Sequence, residues 1–212
     1  PYESPNTDAI DLESSKNILV KNCIIDVGDD CITMKSGRNQ DGRRINTPTE
    51  NVIAKNNIIK NGRGGLTIGS EMSGGANNIF MKNCQINSKK LNRAFRIKGS
   101  EVRGGHVKDI FVKDVLIDTV GGGPVLNIDL HYTVRKAERD GNLYLPKVEN
   151  VFIQDVECNY AKQPLYLDGY SKSKIKNVRL KNITIKDVAI SSHVKDVLNL
   201  FLEDFQVYNR KK

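Results

Sequence analysis

The segment NILVKN at residues 17–22 decides the fold, because six more versions of it follow along the chain. Each version reads Asn or Asp, apolar, any, apolar, any, Asn or Asp. The later copies are NVIAKN (51–56), NIFMKN (78–83), DIFVKD (109–114), NVFIQD (150–155), NVRLKN (177–182) and NLFLED (199–204). Alternating apolar residues are typical of a β-strand, and copies that start 22 to 41 residues apart indicate a solenoid. The pattern therefore predicts an all-β fold, a parallel β-helix. A leucine-rich repeat is the alternative, but its helical half is missing.

A second strand follows roughly a dozen residues after the first in each coil. The copies are AIDL (9–12), CITMK (31–35), GLTIG (65–69), AFRIK (94–98), VLNID (125–129) and PLYLD (164–168). When their inward apolar pairs are placed in register, beginning with Ile10/Leu12 and Ile32/Met34, the outward positions form columns. One column runs Asp11, Thr33, Thr67, Arg96, Asn127 and Tyr166, and the next contains Lys35, Gly69, Lys98, Asp129 and Asp168.

Three carboxylates lie at the start of this second strand, Asp8 in NTD and Asp29 with Asp30 in GDD. In the same register Asp8, Asp30 and Gly64 form one column, and Thr7, Asp29 and Arg63 form the column before it. Because stacked coils are about 4.8 Å apart, the aspartates should share one face with Arg63, Arg96 and Lys98. Three acids on one patch repel, so we expect them to have a function or cationic partners. Paired carboxylates can divide into an acid and a base.

Composition limits the other classes of function. The 212 residues carry a net charge of +8, which suits a polyanionic partner, but no basic run with interleaved aromatic residues favours nucleic acid. No apolar run is long enough to cross a membrane. The four cysteines and three histidines show no metal-ligand spacing, so we predict neither a metal nor a cofactor. Cys23 and Cys84 take equivalent positions two coils apart, which is too far for a disulfide.

Two long insertions interrupt the repeat, at residues 38–50 and 130–148. Insertions in solenoids form loops on one side, often the binding side. Both segments are rich in Arg and Lys, so we expect them to line the groove with positive charge.

These motifs resemble a known family. The segments NTD (6–8), GDDC (28–31), GRGG (62–65), IGSEMSGG (68–75) and RIK (96–98) are similar, in order and spacing, to polygalacturonases of glycoside hydrolase family 28, and most closely to the bacterial members. The resemblance is carried by motifs as far as about Tyr132 and by the repeat beyond it. It implies a right-handed β-helix that hydrolyses α-1,4-galacturonosyl bonds in pectin, with inversion and without a metal.

The resemblance also implies residue roles. Asp29 matches the general acid, while Asp8 and Asp30 match the pair that activates water. Arg96 and Lys98 match the residues that bind the substrate carboxylate, and Tyr132 matches a tyrosine of the cleft. An inverting hydrolase keeps its acid and base roughly 6.5–9.5 Å apart, and we expect acids one or two strands apart to meet that separation.

Arg63 departs from the family pattern, which has histidine at this position of the motif. A fixed cation about 5 Å from Asp29 should lower the pKa of that acid by one to three units and impair it. Alternatively, Arg63 turns away and pairs with Glu71 or another exposed acid.

Residues 1–212 are expected to form one β-helical domain, a fragment of a longer enzyme whose N-terminal coils are missing. The expected partner is an acidic polysaccharide such as polygalacturonate, with no nucleic acid and no membrane, and the expected state is a monomer. The expected location is secreted or periplasmic.

Three functions remain open from the sequence. The first is polygalacturonate hydrolysis, which Arg63 and the truncation would both impair. The second is hydrolysis of rhamnogalacturonan or xylogalacturonan. The third is a catalytically weak homologue that binds acidic polysaccharide. A pectate lyase fits less well, because elimination uses a calcium cluster. The sequence does not distinguish endo from exo action.

Overall fold

The computed structural model describes residues 3–88 and 91–209, which form a right-handed parallel β-helix. Each strand pairs in parallel with the equivalent strand of the next coil. The right-handed course is the one that parallel crossovers follow almost without exception. The fold predicted from the repeat is therefore confirmed.

Fourteen strands are found in the described part of the chain. They are β1 (Ile10–Glu13), β2 (Lys16–Lys21), β3 (Ile24–Asp26), β4 (Asp30–Lys35), β5 (Thr49–Lys55), β6 (Ile58–Asn61), β7 (Gly64–Gly69), β8 (Ala76–Ile86), β9 (Arg93–Lys98), β10 (His106–Asp129), β11 (Lys147–Asp168), β12 (Ile175–Ile185), β13 (His193–Lys195) and β14 (Val197–Val207). One short helix, α1 (Asn39–Ile45), and a 3₁₀ turn (Lys136–Glu138) lie in the two insertions.

One face of the β-helix is built from the second strand of each coil, and we call it the cleft sheet. It runs β1, β4, β7, β9 and then the final segments of β10 and β11, with β13 beside β11. Ile32 pairs with Ile10 and Leu66, and Leu66 pairs with Phe95, as the register predicts. The apolar side chains of this register fill the interior, where Ile32 and Met34 are fully buried.

Both polar positions of the six-residue repeat are bends in the left-handed conformation. Asn17 and Asn22 have φ values of 62° and 56°, and the corresponding residues of the later copies have similar values. Asn and Asp tolerate this conformation better than other residues with a side chain. At the first position the side chains also bond from coil to coil, as Asn51 donates to Asn17 Oδ1 at 3.0 Å and Asn177 donates to Asn150 Oδ1 at 3.0 Å. We call this stack the asparagine spine.

The two insertions contact each other, and the expectation that they line the groove with positive charge is wrong. Arg38 and Arg103 both bind Glu138, with nitrogen–oxygen distances of 2.7 and 2.6 Å. The Arg43 guanidinium lies 3.4 Å from the centre of the Tyr144 ring. Their charges are therefore used to hold the insertions together.

The four cysteines are free, in agreement with the predicted distance between Cys23 and Cys84. Asn57 lies between them in the stack, accepts the Cys23 N–H at 2.9 Å and donates to the Val20 carbonyl at 3.1 Å. Within the described residues, no helix has the length and apolar character needed to span a bilayer.

Candidate active site

A cleft of about 880 Å³ opens over the N-terminal half of the cleft sheet. Its floor comes from β1, β4, β7 and β9 and from the turns that precede them. Polar and charged side chains dominate its lining. The lining residues are Asn6, Thr7, Asp8, Asp11, Asp29, Asp30, Lys35, Arg63, Ser70, Glu71, Asn92, Arg93, Arg96, Lys98 and Tyr132. All seven site residues predicted from the sequence therefore lie in one cleft.

The three aspartates converge because their turns stack in the predicted columns. The Asp29 N–H donates to the Thr7 carbonyl at 3.2 Å, and the Arg63 N–H donates to the Asp29 carbonyl at 2.8 Å. One carboxylate oxygen each of Asp8, Asp29 and Asp30 lies within 4.8 Å of the others. These nearest oxygens are closer than the 6.5–9.5 Å expected for an inverting pair. The reason is that Asp29 and Asp30 are consecutive and Asp8 lies only one coil away.

Asp30 is held at the floor of the cleft by Lys98. The Lys98 Nζ lies 2.8 Å from Asp30 Oδ2, although Lys98 is two coils further along the sheet. Both residues are almost completely buried. The residue next to Asp30 in its own column is Gly64, and a Cβ at that position would collide with the Asp30 carboxylate. Glycine at this position therefore leaves room for the buried acid.

Asp8 is bound on both of its oxygens. Oδ1 accepts the backbone N–H of Asp30 at 3.1 Å, and Oδ2 accepts a hydrogen bond from Lys35 Nζ at 3.1 Å. The same Lys35 ammonium lies 2.7 Å from Asp11 Oδ2. Burial opposes the charge of Lys35, but the hydrogen bonds from its ammonium to Asp11 and Asp8 raise its pKa. At this end of the cleft, Asp8 and Asp11 therefore share the ammonium group of Lys35.

Asp29 has the properties of a proton donor. Burial raises its pKa, and the neighbouring charges of Asp30 and Asp8 raise it further. Arg63 and Lys98 act in the opposite direction but have smaller effects. A raised pKa keeps the carboxyl protonated to higher pH, as a general acid requires.

The net lowering of the Asp29 pKa that the sequence led us to expect from Arg63 is not found. Its charge does act to lower the pKa of Asp29, but burial and the two carboxylates outweigh it. Arg63 is exposed. Its expected alternative partner, Glu71, instead lies 3.7 Å from Arg103. Among the described residues no carboxylate lies within ion-pair distance of Arg63.

Arg96 and Lys98 lie side by side on β9, with their side chains under the ring of Tyr132. The Arg96 Cζ is 5.6 Å and the Lys98 Nζ 5.8 Å from the centre of that ring. Both distances are in the range of cation–π attraction. The predicted carboxylate-binding pair and the predicted cleft tyrosine therefore form one wall of the site.

The charges of the cleft are unevenly paired. Lys35 and Lys98 contact aspartates, whereas three arginines have no carboxylate within 4.0 Å in the described part of the chain. These are Arg63, Arg93 and Arg96. A cleft with three free guanidinium groups suits an anionic ligand. The three aspartates are near enough to hold a cation, but two lysines already supply positive charge to Asp8 and Asp30.

Sequence reasoning missed two cations of this site, Lys35 and Arg93. Lys35 stands in the same column as Lys98, and that position was a signal for a second contact to the acids. Arg93 pairs with Gly64, which pairs with Asp30, so it belongs to the column of the acids. Extending the register of AFRIK by one residue in the N-terminal direction would have revealed it.

Comparisons with known proteins agree with this geometry. Over 194 residues the chain is 30% identical to a protein described as a probable polygalacturonase from Vitis vinifera, covering 87% of this chain and 37% of that protein. It is 30% identical over 82 residues to the exo-poly-alpha-D-galacturonosidase of Dickeya chrysanthemi, covering 39% of this chain and 14% of that protein. The crystal structure of a hyperthermoactive exopolygalacturonase from Thermotoga maritima superposes with a TM-score of 0.77 at 32% identity, covering 94% of this chain and 44% of that one.

The chain thus spans less than half the length of these relatives. The model of one family nevertheless matches residues 1–201, which include every residue of the cleft. The chain belongs to the glycosyl hydrolases family 28.

Proposed function

We propose that this protein hydrolyses α-1,4-galacturonosyl bonds in polygalacturonate. Asp29 protonates the leaving oxygen, Asp8 and Asp30 activate the attacking water, and Arg96 with Lys98 binds a substrate carboxylate beneath Tyr132. The observation that carries this proposal is the meeting of three carboxylates, with nearest oxygens within 4.8 Å, beside unpaired arginines. An acidic sugar would supply the anion that these arginines lack.

Water, rather than a carboxylate, is the proposed nucleophile. Both oxygens of Asp8 already accept hydrogen bonds. Asp30 is 2% exposed and one of its oxygens binds Lys98. These contacts hold the Asp8 and Asp30 carboxylates in place, and we propose that they act on the attacking water and not on the anomeric carbon. Proton NMR of the first product formed tests this point, because direct attack by water inverts the anomeric configuration. Retention would overturn it.

Reducing-end release from polygalacturonate tests the reaction itself. The matched control is Asp29→Asn, which removes the proton donor at nearly constant volume. Activity should be insensitive to a chelator and should generate no ultraviolet-absorbing product, in contrast to calcium-dependent elimination. Release of monomers alone would match the names of two relatives, the exo-poly-alpha-D-galacturonosidase of Dickeya chrysanthemi and the exopolygalacturonase of Thermotoga maritima.

A non-catalytic polysaccharide-binding role is the main alternative. Its support from the sequence was Arg63 together with the expected absence of N-terminal coils, and the raised pKa of Asp29 removes only the part that rests on Arg63. Retention on immobilised polygalacturonate without cleavage would favour this alternative. Faster cleavage of rhamnogalacturonan or xylogalacturonan than of polygalacturonate would identify the other substrate class.

We also propose a secreted or periplasmic location. A polymeric, anionic substrate of this kind is met outside the cytoplasm. Fractionation of cells that produce the full-length protein tests the location, and recovery in the cytoplasm would contradict it.

A further inference from the structure

Arg93 occupies a position in the cleft that the proposed reaction does not use. It begins β9 and belongs to the column that contains Asp30 and Gly64. Two coil spacings, about 10 Å, therefore separate the backbone of Arg93 from that of Asp30. Gly64 has no side chain, so the floor between the two residues is left open. Arg93 thus lies in line with the acids and further along the cleft.

The local backbone is shaped around the Arg93 side chain. In β10 the pairing register shifts between Val120 and Pro124, where the sequence is Gly121, Gly122 and Gly123. A Cβ on Gly123 would lie 2.8 Å from both Cζ and Nη1 of Arg93. Nη1 donates to the Asn92 carbonyl at 2.9 Å. The glycine bulge and this carbonyl fix the direction of the guanidinium group.

The guanidinium is fixed without a counter-ion. Its Nε is buried and has no hydrogen-bond partner, and no carboxylate of the described residues forms an ion pair with it. Burial lowers the pKa of Arg93, the charge of Arg96 acts in the same direction, and the charge of Asp129 acts in the opposite one. A desolvated, unpaired cation next to another cation is unfavourable unless an anion arrives.

We propose that Arg93 binds the carboxylate of a second uronate, so that the cleft selects substrates with two unesterified uronates in succession. This inference rests on the proposed function and adds to it a residue that determines substrate specificity. Arg96 and Lys98 take the carboxylate of the sugar nearest the acids. Arg93 takes the carboxylate of a further sugar along the Asp30 column. A methyl ester on that further sugar removes the charge and the bidentate acceptor, and the cleft then loses this contact.

Binding measurements on the catalytically silent variant Asp29→Asn test the proposal without depending on turnover. Calorimetry is done with three probes: galacturonate, trigalacturonate and methyl-esterified trigalacturonate. Addition of Arg93→Gln should weaken binding of trigalacturonate about ten- to hundredfold, the effect of one charge-assisted hydrogen-bonded pair. Binding of galacturonate and of the methyl ester should change less than about twofold, since neither offers the second carboxylate.

Two further variants test whether the selective loss of trigalacturonate binding is due to the Arg93 guanidinium. Arg96→Gln should weaken galacturonate and trigalacturonate alike, because Arg96 binds the first carboxylate. Gly123→Ala should reproduce the selective loss of Arg93→Gln, since the new Cβ would displace the guanidinium. The Gly123 backbone lies outside the left-handed region, but the new Cβ would also lie 2.9 Å from the Asn92 carbonyl oxygen, so the Tm of this variant is measured alongside its binding.

The outcomes separate the two proposals. If the parent Asp29→Asn protein binds none of the three probes, the proposed function fails and this inference fails with it. If the parent binds trigalacturonate but Arg93→Gln weakens all three probes equally, or none, the function stands and the role of Arg93 is overturned.

Discussion

Lys98 Nζ lies 2.8 Å from Asp30 Oδ2, and this ion pair joins strands β4 and β9 across the floor of the cleft. The pair is closed off from solvent, with side-chain exposures of 10% for Lys98 and 3% for Asp30. A buried pair of this kind contributes little net stability as a whole but is costly to break in half. It holds the Asp30 side chain at the point where water would be activated.

Lys98→Met should therefore reduce both stability and activity. Removal of the ammonium leaves the Asp30 charge buried and unpaired, and the expected loss is about 3–5 kcal/mol in the free energy of unfolding. Urea unfolding measures this loss. Lys35→Met is the matched control, because its pairs with Asp8 and Asp11 are more exposed and should be worth only about 1 kcal/mol. Equal losses in the two variants would contradict the special status of the Lys98–Asp30 pair.

Asp29→Asn should abolish most activity and also stabilise the fold at neutral pH. General acid catalysis is typically worth about 10²–10⁴-fold, which sets the expected loss of kcat. The pKa of Asp29 is raised above 3.8 in the folded state, so the fold binds the proton more tightly than the unfolded chain does. The stability of the parent protein therefore falls as the pH rises from about the ordinary pKa of Asp through the raised pKa of Asp29.

Thermal unfolding at two pH values checks that linkage. The variant should have the higher Tm at pH 7, and the difference should vanish at a pH below about 3.8, where Asp29 is protonated in both states. A variant that is less stable than the parent at pH 7 would show that the Asp29 carboxylate is stabilised rather than strained by its surroundings.

Arg63→Gln should move the alkaline limb of the kcat/KM profile to higher pH. The rate falls as Asp29 loses its proton, and Arg63 acts to lower the pKa at which this happens. Loss of the charge therefore extends activity upward in pH, whereas Arg63→Lys keeps the charge and should leave the limb in place. A limb that stays fixed in both variants would mean that solvent screens Arg63 from Asp29.

Asn57→Ala should destabilise the β-helix by about 1–3 kcal/mol, because two buried backbone groups lose their partner. Asn57 is 1% exposed and binds the Cys23 N–H and the Val20 carbonyl. Gln85→Ala, on the exposed part of the neighbouring coil, is the control and should change stability by less than about 0.5 kcal/mol. If the two variants unfold at the same urea concentration, the buried amide does not support the coil.

The register of the cleft sheet was predictable because its determinants are local. Alternation in AIDL, CITMK and AFRIK specifies which side chains face the interior, and Asn or Asp marks each bend. Once the strands are aligned, the meeting of Asp8, Asp29 and Asp30 follows. The predicted pairing of Ile32 with Leu66 and of Thr67 with Arg96 is therefore confirmed.

The electrostatics were less predictable, because they depend on burial and on partners distant in sequence. The sequence shows Arg63 one coil from Asp29 but does not show how much solvent Asp29 loses, and that loss has the largest effect on its pKa. The insertions show the same limit. Their arginines were assigned to the groove by composition, whereas the actual partner of Arg38, Glu138, lies 100 residues away.

The asparagine spine has a consequence for how such a protein can change over generations. Most coils are fixed at this corner by an Asn side chain that donates to the equivalent Asn or Asp of the coil before it, so the length of chain between corners is free to vary. The spine bonds span 22 residues between Asn177 and Asn199 and 41 between Asp109 and Asn150, with the same contact geometry in both. Insertions of many residues therefore leave the alignment of Asp30, Gly64 and Arg93 intact, and specificity can evolve in the loops while the chemistry is inherited unchanged.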